Sequence, residues 1–597
     1  MISQHTISLF LSQKFAGTLS LRFYININKN IYKKIQFFKK YHDFLLTHTT
    51  YNTILRQEFV SMFPVFLLSP HFSHKILDMC ASPGSKTLQI LEYLNTFPSN
   101  SITSPGLLIS CEIDSKRAAM LSHKTLFLGY PGYVIFNEDA NNLPLLKNQG
   151  FDRVLCDVPC SGDGTSRKNG LILKNWSYKF GLNLHKIQRN LLRKGLKLLA
   201  KGGILIYSTC SLNPIENEAV VSSILEEFIG KLELIDIKEK FQEFQKDFEA
   251  ISRPGLKKWK VLTRIKKKDV WFEKFEEIPK EGKGVIEKSM FSQYPGIERT
   301  RRIYPHLGNT GGFYLAMIRK IEDFEVLEEE KNLKEGNIKK NEENKDISLE
   351  KIIEKSKDLT LEGGDNKKPN EENQEKNEEN KDISLEKKEG IIKKPKENQE
   401  KTLHLSNFLR IIDKNKKVLD NLDIFYGFAK DFPIDRLFGV FADFDDKAPE
   451  NSYPKRLVIA NKGLLAFFLE NPGYFPLKTI SFGVNVFKFI REEKLAIKYR
   501  VIIESLDKIR PFLLKTRVFS ANHEEFCYIE TLIKKNTEFN ELPKDLSLKI
   551  QGFSQGPLII TEENQDFWLI LWKGVNHVNL LMKIQDLLML SFRKSLR

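Results

Sequence analysis

Two cysteines of this sequence lie in segments whose residue types favour a reactive thiol. Cys160 follows Asp157-Val158-Pro159, and Cys210 is the third residue of Ser208-Thr209-Cys210-Ser211. A thiol reacts as its thiolate, which neighbouring polar and positively charged groups stabilise. Cysteine is also a common small core residue, but proline and hydroxyl residues at these positions indicate loops. Both cysteines are therefore candidate nucleophiles.

Acidic residues follow four successive apolar segments. They are Asp78, Glu112, Asp139 and Asp157. One acid at a strand end is usually a helix cap, whereas four in succession favour a ligand site. A carboxylate after the second strand of a nucleotide-binding sheet accepts hydrogen bonds from ribose hydroxyls, which suits Glu112.

A turn of small residues follows the first of these acids. It consists of Cys80, Ala81, Ser82, Pro83, Gly84, Ser85 and Lys86. Small side chains let a ligand approach the backbone, and the N-terminus of the helix that follows favours an anionic group such as a carboxylate. A tight strand-to-helix turn needs glycine and proline in any case, so this turn alone is a weak signal.

Alternating strands and helices must position these residues. Strands are predicted at 75–80, 106–114, 133–140, 152–160, 203–209 and 313–320, and an amphipathic helix at 185–200, closed by Gly202 and Gly203. This alternation predicts an α/β fold with a doubly wound, mostly parallel sheet. Ligands of such sheets bind beyond the carboxyl ends of the strands, where the acids and cysteines are expected.

Six longer segments carry a family resemblance. They are RQEFVSMFP, ILDMCASPGSKT, CDVPCSGDGTSRKN, YSTCSLNPIENEAV, PGLKKWKVLTR and IYPHLGNTGGFYLA. With them the chain resembles the Nop/Sun-domain RNA (cytosine-5) methyltransferases, and most closely the eukaryotic branch that methylates tRNA at several positions. The resemblance is strong over residues 35–320 and weak over 415–597. It implies the Rossmann-like fold of class I methyltransferases.

The resemblance also implies the cofactor and its residues. S-adenosylmethionine is expected to bind at Cys80 to Lys86, Glu112, Asp139 and Asp157. The family more often has aspartate at the position of Glu112, but the longer acid can make the same ribose contact.

The catalytic roles likewise come from the resemblance. It implies that Cys210 is the nucleophile that adds to carbon 6 of cytosine, and that Cys160 assists release of the RNA. DNA cytosine-5 enzymes use the Pro-Cys position as nucleophile, so the presence of Cys210 favours RNA. We expect Asp157 to hold the base edge and Lys86 to lower a thiol pKa by its charge.

Charged and aromatic residues after Cys160 are candidates for RNA contact. They are Arg167, Lys168, Lys174, Trp176 and Lys179. Cations suit phosphates and an aromatic ring suits a base, although a solvated loop explains any one of them almost as well. The net charge of +16 and the pI of about 9.2 favour a polyanionic partner, or else serve solubility.

The composition divides the chain into four regions. Residues 331–400 hold 17 lysines, 19 acidic residues and no aromatic residue, and KNEENKDISLEK occurs twice there. Such a segment buries too little apolar surface to fold, so we predict a disordered linker over 323–403. It separates a methyltransferase domain (56–322) from an accessory domain (404–597) that we expect to be α+β, PUA-like and RNA-binding, or else structural. Residues 1–55 are expected to form a reduced or partial RNA-binding region.

Several classes of protein are disfavoured. The chain has six cysteines, which is too few for a disulfide framework, and Cys156 and Cys160 lack zinc-ligand spacing, so we expect no metal. No apolar run is long enough to cross a bilayer, so no membrane partner is expected.

We expect a monomer, located by family resemblance in the nucleus and possibly the nucleolus. The N-terminus contains no acid before Asp43, which leaves the mitochondrion as an alternative beside the cytoplasm.

Three functions are compatible with these residues. The first is cytosine-5 methylation of tRNA. The second is the same reaction on rRNA or mRNA, which one active site would serve equally well. The third is an RNA-binding scaffold without catalysis, which the retention of both cysteines and of Asp157 disfavours.

Overall fold

The structure is a computed structural model. It describes residues 7–11, 21–25, isolated positions between 36 and 49, and then 57–95, 101–148, 150–167, 170–242, 248–324, 409–411, 415–426, 429, 432–440, 453–490, 498–502, 505–512, 517–532, 536–563 and 568–581. Except for its first two residues, the predicted linker over 323–403 lies outside these ranges, as does Lys168.

The first part of the chain supplies the elements of the candidate site. Its strands are β1 (Ile7–Leu11), β2 (Leu21–Ile25), β3 (Lys75–Asp78), β4 (Leu107–Cys111), β5 (Tyr133–Phe136), β6 (Phe151–Asp157), β7 (Leu199–Thr209), β8 (Leu232–Ile235), β9 (Ser252–Pro254), β10 (Val261–Ile265), β11 (Lys268–Phe272), β12 (Arg301–Ile303) and β13 (Phe313–Lys320). Its helices are α1 (Phe63–Leu68), α2 (Ser85–Leu94), α3 (Ser115–Thr125), α4 (Leu171–Lys174), α5 (Tyr178–Leu198), α6 (Glu218–Glu227), α7 (Ile237–Gln242), α8 (Phe248–Ile251), α9 (Lys280–Lys283) and α10 (Pro305–Gly308).

The central sheet confirms the predicted α/β fold. Strands β5-β4-β3-β6-β7 lie side by side and are parallel, and antiparallel β13 continues the sheet beyond β7. All five residues of β4 are buried, as expected of a parallel strand covered on both faces. The strand order changes direction at β3, so a crevice opens beyond the carboxyl ends of β3 and β6.

Several predicted boundaries differ from those of the structure, and the predicted end of one helix was wrong for a clear physical reason. The helix predicted at 185–200 is α5, which begins seven residues earlier and ends at Leu198. Gly202 and Gly203 do not close it, because Leu199 has extended backbone angles and pairs with Phe151 of β6. The two glycines lie inside β7. Sheet pairing therefore ended the helix before the glycines were reached.

The last part of the chain contains two further sheets. Its strands are β14 (Leu409–Ile411), β15 (Leu437–Val440), β16 (Arg456–Ile459), β17 (Thr479–Phe482), β18 (Val484–Phe489), β19 (Tyr499–Val501), β20 (Val518–Ala521), β21 (Thr537–Glu538), β22 (Gly556–Glu562), β23 (Trp568–Lys573) and β24 (His577–Leu580). Its helices are α11 (Lys416–Tyr426), α12 (Lys462–Glu470), α13 (Leu506–Ile509), α14 (His523–Glu530) and α15 (Lys544–Gln551). The sheets run β14-β15-β16-β18-β19 and β20-β22-β23-β24-β21, and the PUA-like character remains a prediction.

Strand β17 joins the last part of the chain to the central sheet. It pairs antiparallel with β5, so the edge of the central sheet is covered. Asn461 caps α12 with its side-chain oxygen and donates from Nδ2 to the Gly106 carbonyl at 2.7 Å. A Cβ atom at Gly463 would lie 2.0 Å from the Pro105 carbonyl oxygen, so only glycine allows this approach. The described residues up to Asp323 and from Leu409 onward accordingly belong to one compact unit.

Candidate active site

A cavity of about 580 Å³ lies beyond the carboxyl ends of β3, β6 and β7. The predicted site residues that line it are Cys80, Ala81, Ser82, Pro83, Ser85, Lys86, Asp157, Arg167 and Cys210. Three strands and the loops that follow them thus bring together residues up to 130 positions apart in the sequence. This is where a doubly wound sheet binds its ligand.

The two predicted cysteines form a pair beside this cavity. Because β6 and β7 are parallel neighbours, the loops that follow them leave the sheet at the same edge. The Sγ atoms of Cys160 and Cys210 are 3.2 Å apart. A hydrogen bond from Cys160 lowers the pKa of the Cys210 thiol despite its burial, and the charge of Lys86 lowers it further. The same bond, together with burial, raises the pKa of Cys160. The charge of Lys86, which is not among the main causes of the shift at Cys160, therefore favours the thiolate at Cys210.

Asp157 is held from both sides. Lys86 Nζ donates to Asp157 Oδ2 at 2.7 Å, and Ser208 Oγ donates to Asp157 Oδ1 at 2.6 Å. Nζ also lies 5.4 Å from the centre of the Phe313 ring, within range of a cation–π interaction. One positive charge is thus fixed at the Asp157 carboxylate, and it acts on the Cys210 thiol.

Asp78 provides an unsatisfied acceptor at the cavity. Its side chain is 1% exposed, and Oδ2 accepts a hydrogen bond from Thr87 Oγ1 at 2.7 Å. Burial raises the pKa of Asp78 to about 7. Oδ1 has no hydrogen-bond partner among the residues that the structure describes. A buried polar atom without a partner is costly, so a donor on a ligand in the cavity would stabilise Asp78.

The turn between β3 and α2 fits a ligand that approaches the backbone. Gly84 does not itself line the cavity, but its φ of +100° and the 2.7 Å that would separate a Cβ atom from Leu121 Cδ1 show that the turn requires glycine. Ser82, Pro83 and Ser85 present small side chains to the cavity at the start of the ten-residue helix α2. Together with Asp78, this wall suits a ligand that carries both an anionic group and a hydrogen-bond donor.

Glu112 and Asp139 lie at the ends of the next two strands but are not among the residues that line the cavity. Glu112 Oε1 accepts from the Asp114 backbone N–H at 3.0 Å, and Oε2 lies 3.4 Å from Arg117 Nη2. Asp139 Oδ1 accepts from the Asn141 N–H at 2.9 Å and caps a short 3₁₀ helix. Both carboxylates thus have local partners, and their contact with a cofactor remains a prediction.

Another part of the cavity lining lies in the segment IYPHLGNTGGFYLA, in which the sequence predicted no site residue. It is the segment 309–313, and the Glu58 carboxylate accepts a hydrogen bond from its Gly311 N–H at 3.1 Å. Gly312 N–H donates to the Gly164 carbonyl at 2.7 Å, and Gly164 N–H donates to the Cys210 carbonyl at 3.0 Å. The adjacent glycines before β13 were the signal, since paired glycines often mark a close backbone approach.

Gly164→Ala should destabilise the protein. A Cβ atom there would lie 2.7 Å from the carbonyl oxygens of both Cys210 and Gly312, and these backbone atoms have little freedom to move. We expect the free energy of unfolding to fall by about 1–3 kcal/mol, as for other overpacked sites, measured by urea denaturation. Gly170→Ala is the matched control, because a Cβ atom there meets nothing within 4 Å. Equal free energies of unfolding for the two variants would contradict the close packing of Gly164 against the Cys210 and Gly312 backbone.

The predicted RNA-contact residues do not all lie at the cavity. Arg167 lines the cavity, and its Nη1 donates to the Thr310 carbonyl at 3.3 Å. Trp176 is 46% exposed and does not line the cavity. Lys168 lies outside the described residues. Lys174 and Lys179 are exposed and do not line the cavity either, so that of the five predicted residues Arg167 alone is placed at the site.

Two absences concern the described part of the chain. None of its clusters of His, Cys, Asp and Glu has the arrangement to hold a metal ion. Within the same residues, every helix is too short or too polar to cross a membrane.

The sequence is similar to several methyltransferases. The model of the family "16S rRNA methyltransferase RsmB/F" matches residues 65–319. A tRNA (cytosine(34)-C(5))-methyltransferase of Drosophila melanogaster is 38% identical over 315 residues, which are 50% of this chain and 41% of that protein. A multisite-specific tRNA:(cytosine-C(5))-methyltransferase of Saccharomyces cerevisiae is 29% identical over 594 residues, with coverage of 95% and 76%.

Archaeal proteins are similar as well. A tRNA (cytosine(49)-C(5))-methyltransferase of Pyrococcus abyssi is 30% identical over 267 residues, which are 45% of this chain and 70% of that protein. A solved structure of a methyltransferase homolog from Pyrococcus horikoshii is 29% identical and matches with a TM-score of 0.30, covering 44% of this chain and 67% of that one. The chain thus covers less than half of the fly protein and more than two thirds of the protein from Pyrococcus abyssi.

Proposed function

Since the chain belongs to the 16S rRNA methyltransferase RsmB/F family, we propose that it transfers a methyl group from S-adenosylmethionine to carbon 5 of cytosine in tRNA. The observation that carries this proposal is the cysteine pair, with 3.2 Å between the Sγ atoms of Cys160 and Cys210 beside the cavity. Carbon 5 of cytosine is a weak nucleophile, and a thiolate bonded to carbon 6 makes it reactive. A thiol of lowered pKa next to a thiol that keeps its proton suits this chemistry.

Different residues of the chain act on the base at different steps of the reaction. The Cys210 thiolate forms a bond to carbon 6, and the electron pair of the 5,6 double bond shifts towards carbon 5 and the ring. Asp157 holds the base edge and stabilises the charge that develops there. After methylation a base removes the carbon-5 proton, the double bond re-forms and the Cys210 thiolate leaves. Cys160 holds a proton next to the leaving sulfur and assists this release.

The wall that contains the small-residue turn holds the cofactor. S-adenosylmethionine, when bound, supplies an electrophilic methyl group. Its amino-acid end has a carboxylate and an amine, which match the small-residue turn at the start of α2 and the unsatisfied Oδ1 of Asp78. Glu112 and Asp139 follow the neighbouring strands and complete the set that we assign to the cofactor.

The names of the similar proteins support tRNA as the substrate. The proteins from fly, yeast and Pyrococcus abyssi are all named tRNA (cytosine-C5) methyltransferases. The description of the family names 16S rRNA, which makes ribosomal RNA the second candidate. The net charge of +16 and Arg167 at the cavity suit either polyanion.

Labelled cofactor separates these candidates. The purified chain is incubated with labelled S-adenosylmethionine and, separately, with unmodified tRNA and rRNA, and bisulfite sequencing then locates the modified cytosines. Label at carbon 5 of tRNA cytosines is expected. Label in rRNA alone would favour the second candidate, and RNA binding without transfer to either RNA would favour a scaffold.

Lys86→Met should move the pH dependence of the reaction to higher pH. Lys86, Asp157 and Cys160 are the charged and titratable groups beside Cys210, and the Lys86 charge lowers the Cys210 pKa. Without it the pKa of Cys210 rises, so thiolate forms only at higher pH. We expect the acid limb of kcat/KM to shift upward by about one pH unit. The rate of Cys210 alkylation against pH checks the same shift without RNA, and an unshifted limb would contradict this role of Lys86.

A further inference from the structure

We propose that Glu216 is a positioning residue that links the two cysteine loops and keeps the proton on Cys160, so that Cys210 is the reacting thiolate. The sequence assigned Glu216 no role beyond its place in the segment YSTCSLNPIENEAV, and it does not line the cavity. This role deepens the proposed function and rests on it.

The buried carboxylate of Glu216 accepts hydrogen bonds from the residue that follows each cysteine. Glu216 is 0% exposed, and its Oε1 accepts from Ser161 Oγ at 2.6 Å and from Ser211 Oγ at 2.9 Å. Its Oε2 accepts from the Ser161 backbone N–H at 2.8 Å. The two hydroxyl oxygens are themselves 3.2 Å apart. Since Ser161 follows Cys160 and Ser211 follows Cys210, this carboxylate fixes the separation of the two loops.

Helix α5 also contributes hydrogen bonds to this network. Gln188 Nε2 donates to Glu216 Oε2 at 3.1 Å and to the Pro159 carbonyl at 2.9 Å. Gln188 is 0% exposed. The residue before Cys160 is thus tied to the same carboxylate as the residue after it. Each oxygen of Glu216 thus accepts two hydrogen bonds.

The charge of Glu216 acts unequally on the two thiols. Besides the hydrogen bond to Cys210 and burial, the negative charge of Glu216 raises the pKa of Cys160. Glu216 is not among the main causes of the shift at Cys210, where the charge of Lys86 acts in the opposite direction. Asp157 raises the pKa of both thiols. Glu216 therefore favours the state in which Cys160 is protonated and donates to Cys210.

Glu216→Gln tests this assignment. The glutamine side chain keeps the shape of glutamate but loses its charge. Its NH₂ group would face an N–H or O–H group that in the wild-type protein donates a hydrogen bond to the Glu216 carboxylate. We expect kcat to fall by about ten- to a hundredfold, with cofactor affinity and KM for RNA unchanged within about twofold. In the free protein, a limiting amount of iodoacetamide followed by peptide mass spectrometry gives the alkylation ratio of Cys210 to Cys160. This ratio should fall by about tenfold, which corresponds to one pKa unit.

Glu227→Gln is the matched control. Glu227 is a carboxylate of α6 that pairs with Arg189 and Arg193, and its hydrogen bonds do not include the cysteine loops. It should leave both the alkylation ratio and kcat unchanged. If Glu216→Gln fails to fold, Ser161→Ala and Ser211→Ala each remove one hydroxyl bond and should lower the ratio and kcat in the same direction by smaller factors.

The outcomes that contradict the role of Glu216 are distinct from failure of the proposed function. An unchanged alkylation ratio in folded Glu216→Gln, or in both folded serine variants, would overturn the role. So would a parallel loss of thermal stability and cofactor affinity with an unchanged ratio, because that pattern marks a purely structural residue. The alkylation measurement needs neither RNA nor cofactor, so it remains decisive even if wild-type protein methylates no RNA.

Discussion

Cys210→Ala is expected to abolish methyl transfer. Without the sulfur no bond to carbon 6 can form, and carbon 5 then lacks the electron density to attack a methyl group. We expect kcat to fall by roughly a thousandfold or more. Transfer of label from S-adenosylmethionine to tRNA measures the loss, and calorimetric titration of the cofactor should show unchanged affinity, because the small-residue turn is untouched.

Cys527→Ala is the control for this variant. Cys527 lies in α14, outside the central sheet, and its sulfur is 3.7 Å from His523 Nε2. Removal of this thiol should leave methyl transfer at the wild-type rate. Activity of Cys210→Ala within about tenfold of wild type would rule out Cys210 as the nucleophile, whatever the behaviour of the control.

Cys160→Ala is expected to trap a covalent complex with RNA. The variant keeps the Cys210 thiolate, so carbon 6 can still be attacked. It lacks the thiol whose Sγ lies 3.2 Å from that sulfur and that holds a proton there. Release of the Cys210 sulfur is then slowed, and the protein-RNA adduct accumulates while turnover falls by about a hundredfold or more. Labelled tRNA that migrates with the protein on a denaturing gel measures the adduct.

The two cysteine variants together fix the assignment of roles. Cys160→Ala combined with Cys210→Ala should give no adduct, because the attacking sulfur is gone. Adduct formation by Cys210→Ala but not by Cys160→Ala would reverse the roles of the two residues. Absence of adduct from both single variants, with methyl transfer intact in one of them, would exclude a covalent route.

The sequence predicted the central strands well because they are short apolar runs with polar ends. β13 matches its predicted range of 313–320, and β3 starts at its predicted residue, Lys75. The predicted helix end at Gly202 and Gly203 failed because local glycine signals cannot show that Leu199 already pairs with Phe151. Likewise, nothing in the sequence indicated that β17 would pair with β5 and extend the central sheet.

The sequence alone determined which side chains were available for chemistry. Two loop cysteines, four acids at strand ends and a small-residue turn are local features, and the residue types that surround them are enough to mark them. Their spacing also placed them at one edge of a parallel sheet, since that edge follows from the alternation of strands and helices.

Only the tertiary structure decided how these groups act on one another. The ion pair of Lys86 with Asp157, the contact between the two cysteines and the link through Glu216 join residues 71, 50 and 55 positions apart, respectively. Such contacts depend on which strands become neighbours, and strand order is set by the packing of the whole sheet. Electrostatic effects on a thiol fall off with distance and rise with burial, so its pKa is a property of the folded protein and not of the local sequence.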